Sequence, residues 1–305
     1  MRINLPKDFV KSIGDGYGQS GKKWLHELPD LLDQCSRKWG VTFESSVQKF
    51  SYNYVCNVTR KNGENAIVKL GYPGEKEVST EMDALTIFDG TCSVRILEKD
   101  QKLGAMLLER IQPGYTITSL LRSDPEQATT IMASLIRDTP KPIPREHSFP
   151  EVKDWMHACS NVRKLPAAKD ISFMKILDRT ENIFNELDAS STHKLVLHGD
   201  IHHENVLYSE ERGWVTIDPK GIIGDPAFNA ARFLRNPKGL FSENPEKIAP
   251  WLIEKVANIL NQSAKHLAGW AYIDSVLGQC WRIENGQNYE KDTILYLETL
   301  ESIMD

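Results

Sequence analysis

Three oxygen-bearing side chains, Asp200, Asn205 and Asp218, lie close together in the stretch KLVLHGDIHHENVLYSEERGWVTIDPKG, from Lys194 to Gly221. Carboxylate and amide oxygens suit a hard divalent cation, which takes oxygen ligands and keeps part of its water. Asn205 and Asp218 are the natural pair for that task. Asp200 is left nearby to accept a proton from a hydroxyl.

The elements around them explain how they could meet. Lys194–Leu197 is a short apolar run leading into the polar loop His198–Asn205. Val206–Tyr208 then reads as a strand, Ser209–Gly213 as a turn and Trp214–Ile217 as the return strand. Folding that hairpin brings Asn205 and Asp218 together. Asp225 followed by Pro226 is a cap and first turn for a helix over FNAARFLRN. His202 and His203 are adjacent and point different ways in most backbones, so they are assigned to packing within the loop and not to zinc.

Further upstream the chain reads as strands. FESSVQKF (43–50), SYNYVCNVT (51–59) and AIVKL (66–70) are rich in β-branched and aromatic residues, with Asn62-Gly63 supplying a tight turn between the last two. In EKEVSTEMDALTIFDG, Val78, Met82, Leu85 and Phe88 recur at helical spacing, and Gly90 closes the helix. SVRILE and GAMLLERI add two more strands. After about Pro113 the texture turns helical. Asp124-Pro125 opens a helix running toward Asp138, and residues 151–164, 172–187, 246–262, 264–284 and 290–303 read as further amphipathic helices. The pattern is a small strand-rich lobe with one helix, then a larger helical lobe, with the boundary near residues 110–115.

Bulk properties set outer limits. With 37 basic and 42 acidic side chains the net charge is -5, which argues against nucleic acid as a partner and permits a cationic ligand. Cys35, Cys56, Cys92, Cys159 and Cys280 are odd in number and scattered, as expected of reduced thiols in a cytoplasmic protein. The start lacks an apolar core of signal-peptide length, and no apolar run is long enough to span a membrane. Nothing in the sequence points to a protein partner.

HGD-x-x-x-x-N followed by an apolar strand and I-D closely resembles the catalytic core of the aminoglycoside phosphotransferases. The continuation IDPKGIIGDPAFNAARFLRNP resembles their streptomycin and hydroxyurea phosphotransferase branch. The resemblance implies an α+β, protein-kinase-like bilobal fold, with a nucleotide-binding N-lobe over residues 1–112. The helical C-lobe, 113–305, would carry the catalytic loop and acceptor site. It implies ATP and Mg2+ as cofactors and a small hydroxylated molecule as acceptor. Asp200 would be the catalytic base, His198 a brace for the loop, and Asn205 and Asp218 the magnesium ligands. Lys69 in AIVKL would meet the α/β-phosphates and Glu81 would hold Lys69, with Glu77 one turn away as a rival. Backbone from Glu109 to Ile111 would meet the adenine. Lys220 is assigned to the transferred phosphate or to the substrate.

No G-x-G-x-x-G precedes Lys69; KFSYNYVCNVTR stands in its place, and Tyr52 or Asn53 would then cover the phosphates. Late in the chain, Trp281 and Glu284 share a helical face and suit a cationic, hydroxylated ligand, against core packing for the tryptophan. The implied activity is O-phosphorylation of a small molecule, an aminoglycoside of streptomycin type or hydroxyurea. The alternatives are a kinase of another metabolite and a nucleotide-binding pseudokinase. A protein kinase would need D-F-G and A-P-E segments, and a metal-dependent phosphoesterase would need further ligand clusters. The sequence has none of these.

Overall fold

The computed structural model describes residues 5–46, 52–165, 170–235, 245–290 and 292–305. The chain divides into two compact units, Met1–Gly114 and Tyr115–Asp305.

The first unit is built on a five-stranded antiparallel sheet. Its strands are β1 (Val41–Ser46), β2 (Tyr54–Arg60), β3 (Asn65–Leu70), β4 (Ile96–Asp100) and β5 (Ala105–Glu109), in the spatial order β1-β2-β3-β5-β4. The expected strand over 43–50 is seen as far as Ser46, and residues 47–50 lie outside the described residues. Between β2 and β3 the backbone turns at Asn62-Gly63, with Gly63 at φ 84 and the Arg60 N–H donating to the Glu64 carbonyl at 2.8 Å.

Side chains alternate across this sheet, as a pleated strand requires. Ala66, Val68 and Leu70 of β3 enter one apolar core with Val58, Cys56 and Tyr54 of β2. Lys69 must therefore project from the opposite face. Helix α2 (Lys76–Phe88) follows β3, with Val78, Met82, Leu85 and Phe88 buried.

The expectation of a single helix in this unit is wrong. A kinked helix, α1 (Lys7–Trp39), precedes the sheet, and its Phe9, Ile13, Trp24, Leu28, Leu32 and Cys35 fill the core on the β2–β3 side. Those residues do recur at helical spacing. Gly14, Gly16, Gly18, Gly21 and Pro29 interrupt the pattern and weaken intrinsic helix preference. Gly18 does break the helix, at φ 59 and ψ -132. Burial of five large apolar side chains, each stabilising by about 1.5–3 kcal/mol, outweighs the propensity cost elsewhere.

The second unit opens within β6 (Pro113–Thr116), which lies beside β8 (Val206–Ser209); β8 in turn pairs with β9 (Gly213–Thr216). A second small ladder joins β7 (Leu195–Leu197) to β10 (Ile222–Gly224). Around them stand α3 (Thr118–Ser123), α4 (Pro125–Asp138), α5 (Val152–Trp155), α6 (His157–Val162), α7 (Ile171–Ser190), α8 (Ala231–Arg235), α9 (Pro245–Leu260), α10 (Ala264–Glu284) and α11 (Asp292–Met304). Helix α10 is the central post, buried along most of its length and packed on α6, α7, α8, α9 and α11.

The helix expected over 151–164 is two. At Met156 the hydrogen bonding tightens, with Cys159 N–H donating to the Met156 carbonyl three residues back, and the chain turns between α5 and α6. Among the described residues no helix is long and apolar enough to cross a membrane.

Candidate active site

The expected functional residues fall into two groups, one in each unit. In the first unit, Lys69 Nζ lies 2.6 Å from Glu81 Oε1, and both side chains are less than a tenth exposed. Lys69 sits on the sheet face away from α1, and Glu81 sits on the buried side of α2. Glu77, the rival, is exposed. At the end of β5, the Glu109 N–H donates to the Arg95 carbonyl at 3.0 Å, and its carboxylate accepts from the Arg95 N–H at 2.6 Å. That N–H is taken up inside the sheet, on the residue preceding β4.

In the second unit, two short ladders clamp two loops side by side. The loop His198–Asn205 links β7 to β8, and Ile217–Gly221 links β9 to β10. Leu197 pairs with Ile222, so His198 and Gly221 lie at the same end of one ladder, and the His198 carbonyl accepts from the Lys220 N–H at 2.8 Å. Val206 pairs with Thr216 at the end of the other, and the Ile217 N–H donates to the Asn205 carbonyl at 2.9 Å. Registers at both ends thus fix Asp200, Asn205 and Asp218 in one neighbourhood.

Local backbone details serve the same end. Gly199 has φ 76, and a Cβ there would sit 2.8 Å from Ile222 Cγ2. Its N–H donates at 3.2 Å to Asn229 Oδ1, while Asn229 Nδ2 holds the Ile136 carbonyl at 2.9 Å. The Asp200 N–H donates to His198 Nδ1 at 3.3 Å. His198 is fully buried, and burial pushes its ring down to about 3, so the ring is neutral at neutral pH. Asn205 Nδ2 donates to the Asp200 carbonyl at 3.0 Å, which ties the amide to the loop. Asp218 adopts φ 60, a conformation costly for a side-chain-bearing residue and held here by its flanking ladder.

Burial pushes the Asp200 carboxyl up to about 6, against the downward pull of Arg232 and Lys220. Arg232 Nε lies 3.0 Å from Asp200 Oδ1, and Arg232 Nη2 lies 3.4 Å from Oδ1 of the buried Asp274. The contact to Asp200 is an ion pair by distance and not a directed hydrogen bond, because Nε has no acceptor in line. Arg235 completes the group, with Nε 3.1 Å from Asp274 Oδ2 and Nη1 donating to the Asp274 carbonyl at 2.7 Å.

Sequence reasoning missed Arg232, Asp274, Asn229 and Trp155. Two signals were present. Arg232 and Arg235 are three apart in an otherwise apolar helix, and Asp274 interrupts the apolar run of α10, where a buried acid needs a cation.

Asp225, also expected from sequence, caps the turn Pro226–Ala230, accepting from the Ala227 N–H at 2.8 Å, and its other oxygen meets His266 Nε2 at 3.2 Å. His202 and His203 stack edge to face at 5.8 Å, and among the described residues no cluster of three His, Cys, Asp or Glu forms a metal site. Glu204 and Glu284 are exposed, and Glu284 accepts from Asn161 Nδ2 at 3.0 Å. Trp281 meets Trp155 edge to face at 5.5 Å and carries the Arg232 guanidinium 5.7 Å from its ring centre. Tyr52 is exposed, and Asn53 Oδ1 crowds Gly71.

A donor set of one amide oxygen and one carboxylate fits Mg2+, which is commonly held by one or two protein oxygens together with substrate phosphates and water. It does not fit zinc, whose sites take three or four protein ligands, chiefly His nitrogen and Cys sulfur.

A strand-rich unit with a buried lysine–glutamate pair, and a helical unit with this two-loop arrangement, place the chain among the protein-kinase-like phosphotransferases. Solved structures share the fold. The choline kinase LicA from Streptococcus pneumoniae superposes with a TM-score of 0.63 at 13% identity, covering 92% of this chain and 99% of that one. Amicoumacin kinase hAmiN, in complex with AMP-PNP, Ca2+ and Ami, superposes with a TM-score of 0.64 at 13% identity, covering 91% and 93%. Residues 38–286 match the model of the aminoglycoside/hydroxyurea antibiotic resistance kinases, and the chain belongs to that family. It is 27% identical to the streptomycin 6-kinase of Streptomyces glaucescens, over 93% of this chain and 92% of that one. It is also 27% identical to the hydroxyurea phosphotransferase of Kitasatospora aureofaciens, over 93% and 82%.

Proposed function

We propose that this protein transfers the γ-phosphoryl group of ATP to a hydroxyl of a small molecule of the kind its relatives are named for, an aminoglycoside of streptomycin type or hydroxyurea. The observation that carries the reading is the double clamp that gathers Asp200, Asn205 and Asp218. Asp200, with a carboxyl near 6, is ionised at neutral pH yet basic enough to take a proton as the acceptor oxygen attacks. Asn205 and Asp218 would hold magnesium, which supplies charge neutralisation on the phosphates. Lys69, kept in place by Glu81, is assigned to the α/β-phosphates. Lys220 stands beside Asp200 and is assigned to the transferred phosphoryl group or the substrate. Residues 1–112 are assigned to the nucleotide and 113–305 to the acceptor.

The test is magnesium-dependent ADP release over a panel of streptomycin, other aminoglycosides, hydroxyurea, choline and simple sugars. Acceptor-stimulated turnover is expected, and Asp200→Asn is expected to lower kcat about 10²- to 10⁴-fold. Failure to bind magnesium-ATP would overturn the reading.

A further inference from the structure

Helix α8 carries two arginines three residues apart, so Arg232 and Arg235 lie on one side of it. Asp274 and Gly278 are four apart on α10 and share the face that receives them. A Cβ at Gly278 would overlap Arg235 Nη1, so the glycine leaves the space in which that guanidinium lies. Arg235 then meets Asp274 twice, with Nε 3.1 Å from Oδ2 and Nη1 donating to the main-chain carbonyl at 2.7 Å. Asp274 is fully buried, and its other oxygen, Oδ1, lies 3.4 Å from Arg232 Nη2.

Arg232 is thereby shared between two acids. Its Nε stands 3.0 Å from Asp200 Oδ1, its Nη2 faces Asp274, and its guanidinium lies 5.7 Å from the centre of the Trp281 ring. The charges of the group balance: Asp200, Asp218 and Asp274 face Arg232, Arg235 and Lys220. Such a group gives no net attraction or repulsion for an acceptor. What it does fix is place. A carboxylate on a loop can turn about its side-chain torsions, and a misplacement of about 1 Å costs on the order of a hundredfold in rate. Arg232 holds Asp200 by one oxygen, Oδ1, and no N–H of Nε points in line at it, so carboxylate lone pairs remain for a proton.

We infer that Arg232, itself held by Asp274, is a positioning residue that fixes the Asp200 carboxylate in the orientation that receives the acceptor's proton. The inference rests on the reading of Asp200 as the base. In the step it describes, the hydroxyl oxygen forms a bond to the γ-phosphorus and its proton passes to Asp200. The bond from the γ-phosphorus to the β–γ bridging oxygen breaks, and ADP leaves with the electron pair. Arg232 takes no proton and acts only through Asp200.

The experiment measures magnesium-ATP-dependent phosphorylation of streptomycin and of hydroxyurea, at steady state and in single turnovers. Arg232→Met leaves Asp274 its contacts with Arg235, and thermal melting checks that it folds; if it does not, Arg232→Lys takes its place throughout. Arg232→Met is expected to lower kcat about 10- to 100-fold, with KM for ATP and for the acceptor within about twofold of wild type. Arg232→Lys keeps the charge without the planar fork, and its kcat should fall between the two. In an Asp200→Asn background Arg232→Met should cost less than about threefold more, because the two residues act as one unit. Any loss in Asp274→Asn should likewise vanish once Arg232 is replaced. A folded Arg232→Met with wild-type kcat, or with KM raised for either substrate, overturns the inference. So do losses that multiply in the Asp200→Asn background, which is what a general weakening of the fold or a direct contact of Arg232 with substrate would give. Failure of wild type to phosphorylate either acceptor is a different result, and it would remove the proposed reaction on which the inference rests.

Discussion

Lys69 Nζ and Glu81 Oε1 meet at 2.6 Å with both side chains buried, a strand residue and a helix residue joined on the sheet face opposite α1. Such a pair is poor evidence of stability, since desolvating two charges offsets most of their attraction. Stability and the proposed phosphate role of the pair can therefore be tested separately.

Glu81→Ala leaves the Lys69 ammonium buried without this partner, and should destabilise the fold by about 3–5 kcal/mol. Replacing both residues, Lys69→Met with Glu81→Leu, should restore stability to within about 1 kcal/mol of wild type or exceed it. The double variant should nevertheless lack phosphotransfer. Urea denaturation and ADP release, measured on the same preparations, check the pair. A double variant as unstable as Glu81→Ala would show that the two residues serve packing.

Gly199 and Gly213 both have positive φ, but their surroundings differ. A Cβ at Gly199 would lie 2.8 Å from Ile222 Cγ2, whereas one at Gly213 meets nothing within 4 Å. Gly213→Ala should cost only the backbone penalty, about 1–2 kcal/mol, with activity kept. Gly199→Ala should cost more and should also lower kcat, because relief of the clash moves the Asp200 loop. Melting temperature and kcat for the two variants provide the comparison.

The loop site was legible in sequence because its parts are local. Asp200, Asn205 and Asp218 lie within one hairpin and its flanks, and strand periodicity alone brings two of them together. The position of Lys69 at the end of a strand was equally readable. What sequence did not reveal depends on contacts between distant segments. Arg232 and Asp274 meet only because α8 packs on α10, and Asn229 reaches both Gly199 and the Ile136 carbonyl. Helix α1 was hidden for another reason: its glycines and Pro29 obscure a stripe whose stability comes from the sheet beneath it.

Asn229 offers a direct test of one such distant contact. Its amide accepts from the Gly199 N–H and donates to the Ile136 carbonyl, all within the interior. Asn229→Ala leaves both backbone groups buried without these partners, at about 1–3 kcal/mol each. Asn229→Asp keeps the acceptor for Gly199 and loses the donor to Ile136. It should therefore be unstable like Asn229→Ala yet hold the loop better, with the higher kcat of the two at a temperature where both are folded. Equal kcat values would mean that the Gly199 contact does not position the loop.

Acidification should unfold this protein through His198, which is fully buried, and His202, which is partly buried. Burial pushes His198 down to about 3 and His202 down to about 4, whereas an unfolded histidine titrates near 6.5. Between those values the unfolded chain binds protons that the folded chain refuses, so stability present above pH 6.5 is lost as pH falls toward 4 and 3. Asp200 acts with the opposite sign: its folded carboxyl titrates near 6, above the unfolded value, so between about pH 6 and 4 the folded state binds the extra proton. Each tenfold change in proton affinity is worth about 1.4 kcal/mol, so the two histidines together outweigh Asp200 and net stability declines, less steeply because of the buried Asp274, whose carboxyl burial also pushes up. Urea midpoints at pH 7.5, 6 and 5 should fall in that order for wild type. His198→Asn removes the largest contribution, so its midpoint should start lower and fall less steeply. A parallel decline in wild type and variant would show that His198 is not the residue whose neutrality the fold requires.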